Sequence, residues 1–208
     1  MTALAHKLEI DNHITVEEYL RGEKTSELKH EYIDGQVYAM AGASIKHNII
    51  NANIFGLLWS NLNGQPCFPL GSDMLLEVSK TQYRYPDIMV ICDDDSSNND
   101  YVRKNPLIII EVLSKSTRKK DKTEKRKEYL SLPSLQEYVL IEQDYAEIDV
   151  QRRSDNWQSA YYFLGDEITF ESIDVTLSVE DIYQRVDNHD IQEFLKQKEQ
   201  QSQDSNKT

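Results

Sequence analysis

Two acidic residues stand out because of their surroundings. Asp87 opens the apolar run PDIMVI, and Glu111 sits inside LIIIEVL. An ionised carboxylate among apolar neighbours loses its hydration, so each needs a cation close by. A divalent metal is one answer and a lysine is another. Two carboxylates from neighbouring strands suit a hard divalent ion bound through oxygen, and Mg²⁺ fits that set because it keeps several waters, with Mn²⁺ as a substitute. A water acidified by such an ion can attack a phosphodiester while the ion offsets the charge that builds on phosphorus. A lysine beside that water would orient it and add positive charge.

The segment after Glu111 offers such an amine. In KKDKTEKRKEYL, residues Asp121, Lys125 and Tyr129 recur every four positions, so a helix sets them on one face, which could turn toward the strand ends bearing Asp87 and Glu111. Lys122 and Lys127 point elsewhere on the same helix. From Leu113 to Lys127, eight basic residues against two acidic ones give a local balance of +6, although the whole chain carries −13. That total opposes binding to nucleic acid, since phosphates are neutralised by Lys and Arg. The local balance predicts one basic face on an acidic body.

Pro86-Asp87, followed by a strand ending Glu111-Val112-Leu113-Ser114, resembles the PD-(D/E)XK nuclease superfamily. One position departs from it: the motif lysine, two residues after the acid, is Leu113 here. The longer pattern runs from HEYIDG through the Pro86-Asp87 step to EVLS, Ser116-Thr117 and the Asp121, Lys125, Tyr129 series. It resembles the Uma2 family of restriction-endonuclease-like proteins, common in cyanobacteria, over roughly Thr15 to Val186. The resemblance implies that the lysine has moved to the following helix, at Lys125. It implies that Glu31 is a further acid for a second metal or its water, with Asp73 as another candidate, and that the backbone carbonyl of Val112 is a ligand. It also implies an α/β fold with a restriction-endonuclease-like core, and a Mg²⁺-dependent endonuclease acting on DNA with Asp87, Glu111 and Lys125 as its catalytic set. Leu113 leaves open a catalytically inactive nuclease-fold module that binds nucleic acid or a protein partner. Hydrolysis of a small phosphoester is a third reading. Cleavage of a duplex at paired positions needs two sites, so a homodimer is expected. His47, among the polar positions of its helix, is a candidate to touch the site. His6, His13, His30 and His189 show no ligand spacing.

The positioning elements can be read from periodicity and punctuation. The 208 residues predict an N-terminal extension over 1–14, one domain over 15–187 and a polar tail without structure over 188–208. Thr15 to Glu18 has capping-box spacing and opens a helix ending near Gly22. Asp34-Gly35 marks a hairpin. Ile45 to Leu62 has helical periodicity. Cys67 to Val78 reads as one extended strand containing Asp73, and Tyr83 to Cys92 as another. Asp93 to Arg103 is a polar loop, and Leu107 to Leu113 a strand covered on both faces. A helix follows over Asp121 to Leu132, with Asp121 and Glu124 at capping-box spacing. Strands are expected at Glu137 to Ile141, Glu147 to Arg152 and, as an edge, Ser159 to Phe163, then a helix over Val179 to Val186. Together these predict a central mixed β-sheet of five or more strands flanked by α-helices. Cys67 and Cys92 read as reduced, buried thiols. No secretory signal is apparent at the start, and no apolar run approaches the roughly 20 residues that span a bilayer. A cytoplasmic protein with no membrane partner is expected.

Overall fold

The computed structural model describes residues 13–95 and 99–205. His6 and most of the predicted N-terminal extension lie outside them. Thr15 closes the predicted capping box at the start of α1 (Val16–Glu23), its hydroxyl accepting from Glu18 N–H. β1 (His30–Ile33) and β2 (Gln36–Ala39) form the expected hairpin. At its tip Asp34 and Gly35 take φ of 46° and 88°, as a tight two-residue turn requires. α2 (Ile45–Asn61) follows, capped by the Ser44 hydroxyl.

Five strands come next: β3 (Cys67–Gly71), β4 (Leu75–Ser79), β5 (Gln82–Arg84), β6 (Ile88–Cys92) and the short β7 (Val102–Arg103). β8 (Ile108–Leu113) leads into a helical segment made of α3 (Arg118–Lys120), a π-turn over Asp121–Lys125 and α4 (Arg126–Leu130). β9 (Glu137–Glu142), β10 (Ile148–Arg152), β11 (Ser159–Tyr162), β12 (Glu167–Phe170) and β13 (Val175–Ser178) precede α5 (Val179–Ile182) and α6 (His189–Ser205).

The central sheet is six-stranded and mixed, in the order β11-β10-β9-β8-β6-β3. Its β8–β9 pair is parallel and its other pairs antiparallel. Every residue of β8 is buried, as a strand covered on both faces should be. On one face Ile88, Val90, Ile108, Ile110 and Val112 pack with Ile50, Ile54 and Leu58 of α2 and with β12, β13 and α5. On the other, Met89, Ile91, Ile109, Leu113, Tyr138 and Leu140 meet Tyr129 of α4 and Leu76 and Val78 of β4. A second sheet, β2-β1-β5-β4-β7, packs Tyr32 and Tyr83 against Tyr19 of α1.

Several boundaries differ from the sequence reading. Cys67 to Val78 is two strands rather than one, because the chain turns after Gly71, where Met74 N–H donates to Gly71 C=O, and passes to the second sheet. Tyr83 to Cys92 is likewise divided: β5 belongs to the second sheet and β6 to the central one. Pro86 at the break has no N–H to give a ladder. The helix after β8 starts at Arg118 instead of Asp121, because Ser114 and Thr117 exchange hydroxyl and backbone hydrogen bonds in the preceding turn. Asp121 is thereby freed from capping and buried. The helix expected over Val179 to Val186 stops at Ile182, where the Asn53 side chain takes the carbonyls of Ile182 and Gln184.

Two further expectations are corrected. Within the tail expected to lack structure, His189–Ser205 is helical. Asn188 Oδ1 caps Ile191 N–H, Ile191 packs on the core and Asp190 accepts from Ala146 N–H, so the segment's few anchoring residues dock it despite its polarity. Cys67 and Cys92 are joined in a disulfide instead of being free thiols. The β3–β6 register sets them directly opposite each other, a proximity that their 25-residue separation conceals. Among the described residues no helix is long and apolar enough to cross a membrane.

Candidate active site

The crossing between the two sheets builds the site. In the antiparallel β6–β8 ladder Ile88 faces Ile110, so the next step sets Asp87 across from Glu111. Side chains alternate along a strand, and both residues therefore project from the face covered by the helical segment. The contacts agree: Asp87 N–H lies 3.4 Å from Glu111 Oε2, and Val112 N–H donates to Asp87 Oδ2 at 2.8 Å. His47, in the first turn of α2, brings Nε2 to 3.1 Å from the same Asp87 Oδ2. The two acids thus converge on one face of the sheet.

Lys125 arrives from the π-turn. Its Nζ is 2.9 Å from Glu111 Oε1, 3.4 Å from Asp121 Oδ1 and 3.5 Å from Glu31 Oε1. Tyr129, one turn on, donates its hydroxyl to Glu111 Oε1 at 3.0 Å. The predicted face of Asp121, Lys125 and Tyr129 does point at the sheet. Glu31 reaches in from β1, with Oε2 held by Arg84 at 2.6 Å and Lys120 at 2.7 Å. These groups line a cleft of about 620 Å³ walled by residues 38–44 on one side and by Ser114 to Thr117 on the other.

Five carboxylates (Glu31, Asp87, Glu111, Asp121, Glu128) are tied into this network, against three permanent cations (Arg84, Lys120, Lys125) and one imidazole. Burial and the neighbouring charges shift the titration of Glu111, Asp121, Glu31 and Lys125. Burial pushes the Glu111 carboxyl up to about 8; Lys125 opposes that, and the nearby Asp87 and Asp121 reinforce it. Asp121 is raised by burial too, partly offset by Lys125 and Thr117. Burial alone would also raise Glu31, but Lys125, Arg84 and Lys120 outweigh it and bring the carboxyl down to about 2. Burial works against the Lys125 ammonium, yet Glu111, Glu31 and Asp121 hold its pKa well above the ordinary lysine value.

A dication placed between Asp87 and Glu111 would reverse the strain on Glu111, since bound ions are the largest local charges in such sites. Among the described residues, no three His, Cys, Asp or Glu side chains form a complete metal-holding group. Two carboxylates with a backbone carbonyl and waters nevertheless suit Mg²⁺, which is commonly held by one or two carboxylates together with substrate phosphates. By its hard oxygen donors and its excess of negative charge, the donor set fits that ion.

The Uma2 family, described as "Putative restriction endonuclease", matches residues 16–180. The chain belongs to the Uma2 family. It is 35% identical over 173 residues to the uncharacterized protein slr1290 of Synechocystis sp., covering 82% of this chain and 91% of that one. A second Synechocystis protein, the uncharacterized sll1609, is 38% identical over 133 residues, covering 62% of this chain and 75% of that one. In three dimensions, a crystal structure titled as a putative nuclease belonging to DUF820 from Anabaena variabilis superposes with a TM-score of 0.66 at 19% identity. It covers 82% of this chain and 97% of that one. The restriction-endonuclease-like α/β fold expected of a Uma2 protein is therefore the fold found.

Not every predicted site residue of this Uma2 chain gathers here. Asp73 lies in the exposed turn between β3 and β4, where it pairs with Lys29 at 3.0 Å, so the strand expected to bury it does not exist. The basic stretch is also less of an open face than its composition implied. Arg118 and Lys122 turn back onto Glu142, and Lys120 and Lys125 onto the acids of the cleft. Two participants, Arg84 and Glu128, escaped the sequence reading. Arg84 is fully buried and clamps Glu128 through Nε and Nη2 while binding Glu31 through Nη1. An arginine between two tyrosines just before Pro86-Asp87 was the available signal: a charge in an apolar strand needs a buried partner.

Proposed function

We propose that this chain is a Mg²⁺-dependent endonuclease that hydrolyses phosphodiester bonds in DNA. The observation that carries this reading is the convergence of Asp87 and Glu111 on one face of the sheet, with the Lys125 ammonium 2.9 Å from Glu111. Asp87 and Glu111, with the backbone carbonyl of Val112, would hold the ion. The bound ion would acidify a water and offset charge developing on the scissile phosphate. Lys125 orients the attacking water and adds a positive charge beside the phosphate. Asp121 and Tyr129 fix Lys125 and Glu111 from the helix side. Glu31, with both oxygens facing cations, anchors Lys120 and Lys125 rather than taking a second metal. Cutting both strands of a duplex takes two such sites, so a two-fold homodimer is the proposed active form.

Asp87→Asn and Glu111→Gln are each expected to remove divalent-dependent cleavage while leaving the circular dichroism spectrum of the wild type. The substrates are plasmid and single-stranded DNA with Mg²⁺ or Mn²⁺. Wild-type protein that cuts neither would refute the nuclease reading. One observation favours a second reading, a nuclease-fold module without activity: Leu113, at the usual lysine position, is fully buried in the apolar core. Metal titration separates the two, because such a module has no need to bind Mg²⁺ at Asp87 and Glu111.

A further inference from the structure

His47 makes a polar contact that its position in an amphipathic helix does not require. Its side chain is 13% exposed, and Nε2 lies 3.1 Å from Asp87 Oδ2. Nδ1 is buried and has no hydrogen-bond partner among the described residues. An ionised carboxylate only accepts, so the Nε2 that faces it must carry the proton. The ring's one described side-chain hydrogen bond is thus made to Asp87, and it comes from a different element on the opposite side of the cleft from Lys125.

The same oxygen is held a second time, by Val112 N–H at 2.8 Å. Two donors converging on Oδ2 fix the plane of the Asp87 carboxylate, and among the described residues Oδ1 takes no hydrogen bond. We propose that His47 is a positioning residue for metal binding: with Val112 N–H it locks Asp87 Oδ2 and leaves Oδ1 as the oxygen offered to the cation. The inference rests on the metal-site reading above but goes beyond it, because it assigns the orientation of the first ligand to a helix that carries no ligand itself. Ser44 places the ring, since its hydroxyl accepts from His47 N–H at 3.1 Å while donating to Gln143 at 2.6 Å. The start of α2 is in this way pinned to the sheet beside the cleft.

Partners that orient metal ligands are commonly worth about 10- to 100-fold in affinity. The test is calorimetric titration of Mn²⁺ into the full chain, for wild type, His47→Leu and His47→Gln, with a thermal melt of each protein. His47→Leu keeps bulk and removes the donor, and it should weaken Mn²⁺ binding by about 10- to 100-fold. His47→Gln, whose amide reaches a similar point, should recover most of that loss, which a purely structural role for the ring would not predict. If His47→Leu does not fold, His47→Ala takes its place. Wild-type affinity in the donor-less variant overturns the positioning role and leaves the metal site standing. A wild type that takes up no Mn²⁺, with Asp87→Asn giving the same flat titration, overturns both.

Discussion

An ammonium with 9% side-chain exposure and three carboxylates within 3.5 Å, as at Lys125, keeps its proton because losing it would leave those carboxylates facing one another. Removing one partner of a buried ion pair is far costlier than never having built the pair. Lys125→Met is therefore expected to destabilise the protein by about 3–5 kcal/mol at neutral pH, read from urea denaturation. Glu31 gives the complementary test with pH. Its folded pKa, about 2, lies below the ordinary 4.5, so its contribution is present above 4.5 and disappears as pH falls toward 2. The stability difference between wild type and Glu31→Gln should shrink across that window by an amount on the order of 3 kcal/mol. A difference that stays constant from neutral pH to acid would mean that Glu31 is not held by cations. The acids themselves were legible in sequence because strand context made them costly. Arg84 was not recognised, since its partners Glu31 and Glu128 lie 53 and 44 residues away and only the fold unites them.

The π-turn is what lets one helix present Asp121, Lys125 and Tyr129 together. Four-residue spacing overshoots a 3.6-residue turn, so in a regular helix the three would drift by roughly 40° per step. The wider turn over Asp121–Lys125 absorbs the excess, and wide turns of this kind often mark functional positions. Deleting Thr123, an exposed residue inside it, would restore regular pitch and rotate Arg118, Lys120 and Asp121 by roughly 100° relative to Lys125. Such a protein should lose about 1–3 kcal/mol in urea denaturation along with Mn²⁺ uptake, whereas Thr123→Ala should change stability by less than about 0.5 kcal/mol. Equal behaviour of the deletion and the alanine variant would show that the wide turn positions nothing. The four-residue series was readable from sequence, but the widening was not, because π and α turns share the same local preferences. The same contrast holds elsewhere. The all-apolar β8 and the Asp34-Gly35 hairpin declared themselves, while Gly71 and Pro86 lay in plain view inside runs whose hydrophobicity spoke for unbroken strands. What decided those breaks was the presence of a second sheet, which no local pattern announces.

At the scale of the molecule the question is how a chain of net charge −13 would approach DNA. Several of the cations after β8 are already engaged: Arg118 and Lys122 with Glu142, Lys120 with Glu31, Lys125 inside the cleft, and Arg126 with Gln151. Lys115 and Lys119 are exposed, and Lys115 lines the cleft alongside the half-buried Lys120. A strand entering the cleft would then meet about two or three available cations, with acidic surface repelling it elsewhere. Each neutralised phosphate contributes a slope of about −0.9 to the dependence of log affinity on log salt for duplex DNA. Two or three phosphates correspond to a Kd that rises roughly 10- to 40-fold between about 50 and 200 mM salt. Fluorescence anisotropy with the Glu111→Gln protein and a short duplex measures this without cleavage. Lys115→Ala should flatten the slope by about 0.9, the share of one phosphate. A wild-type slope several-fold steeper, or one untouched by Lys115→Ala, would place the contact surface away from the cleft, and Asp87 and Glu111 would then have no route to the backbone they are proposed to cut.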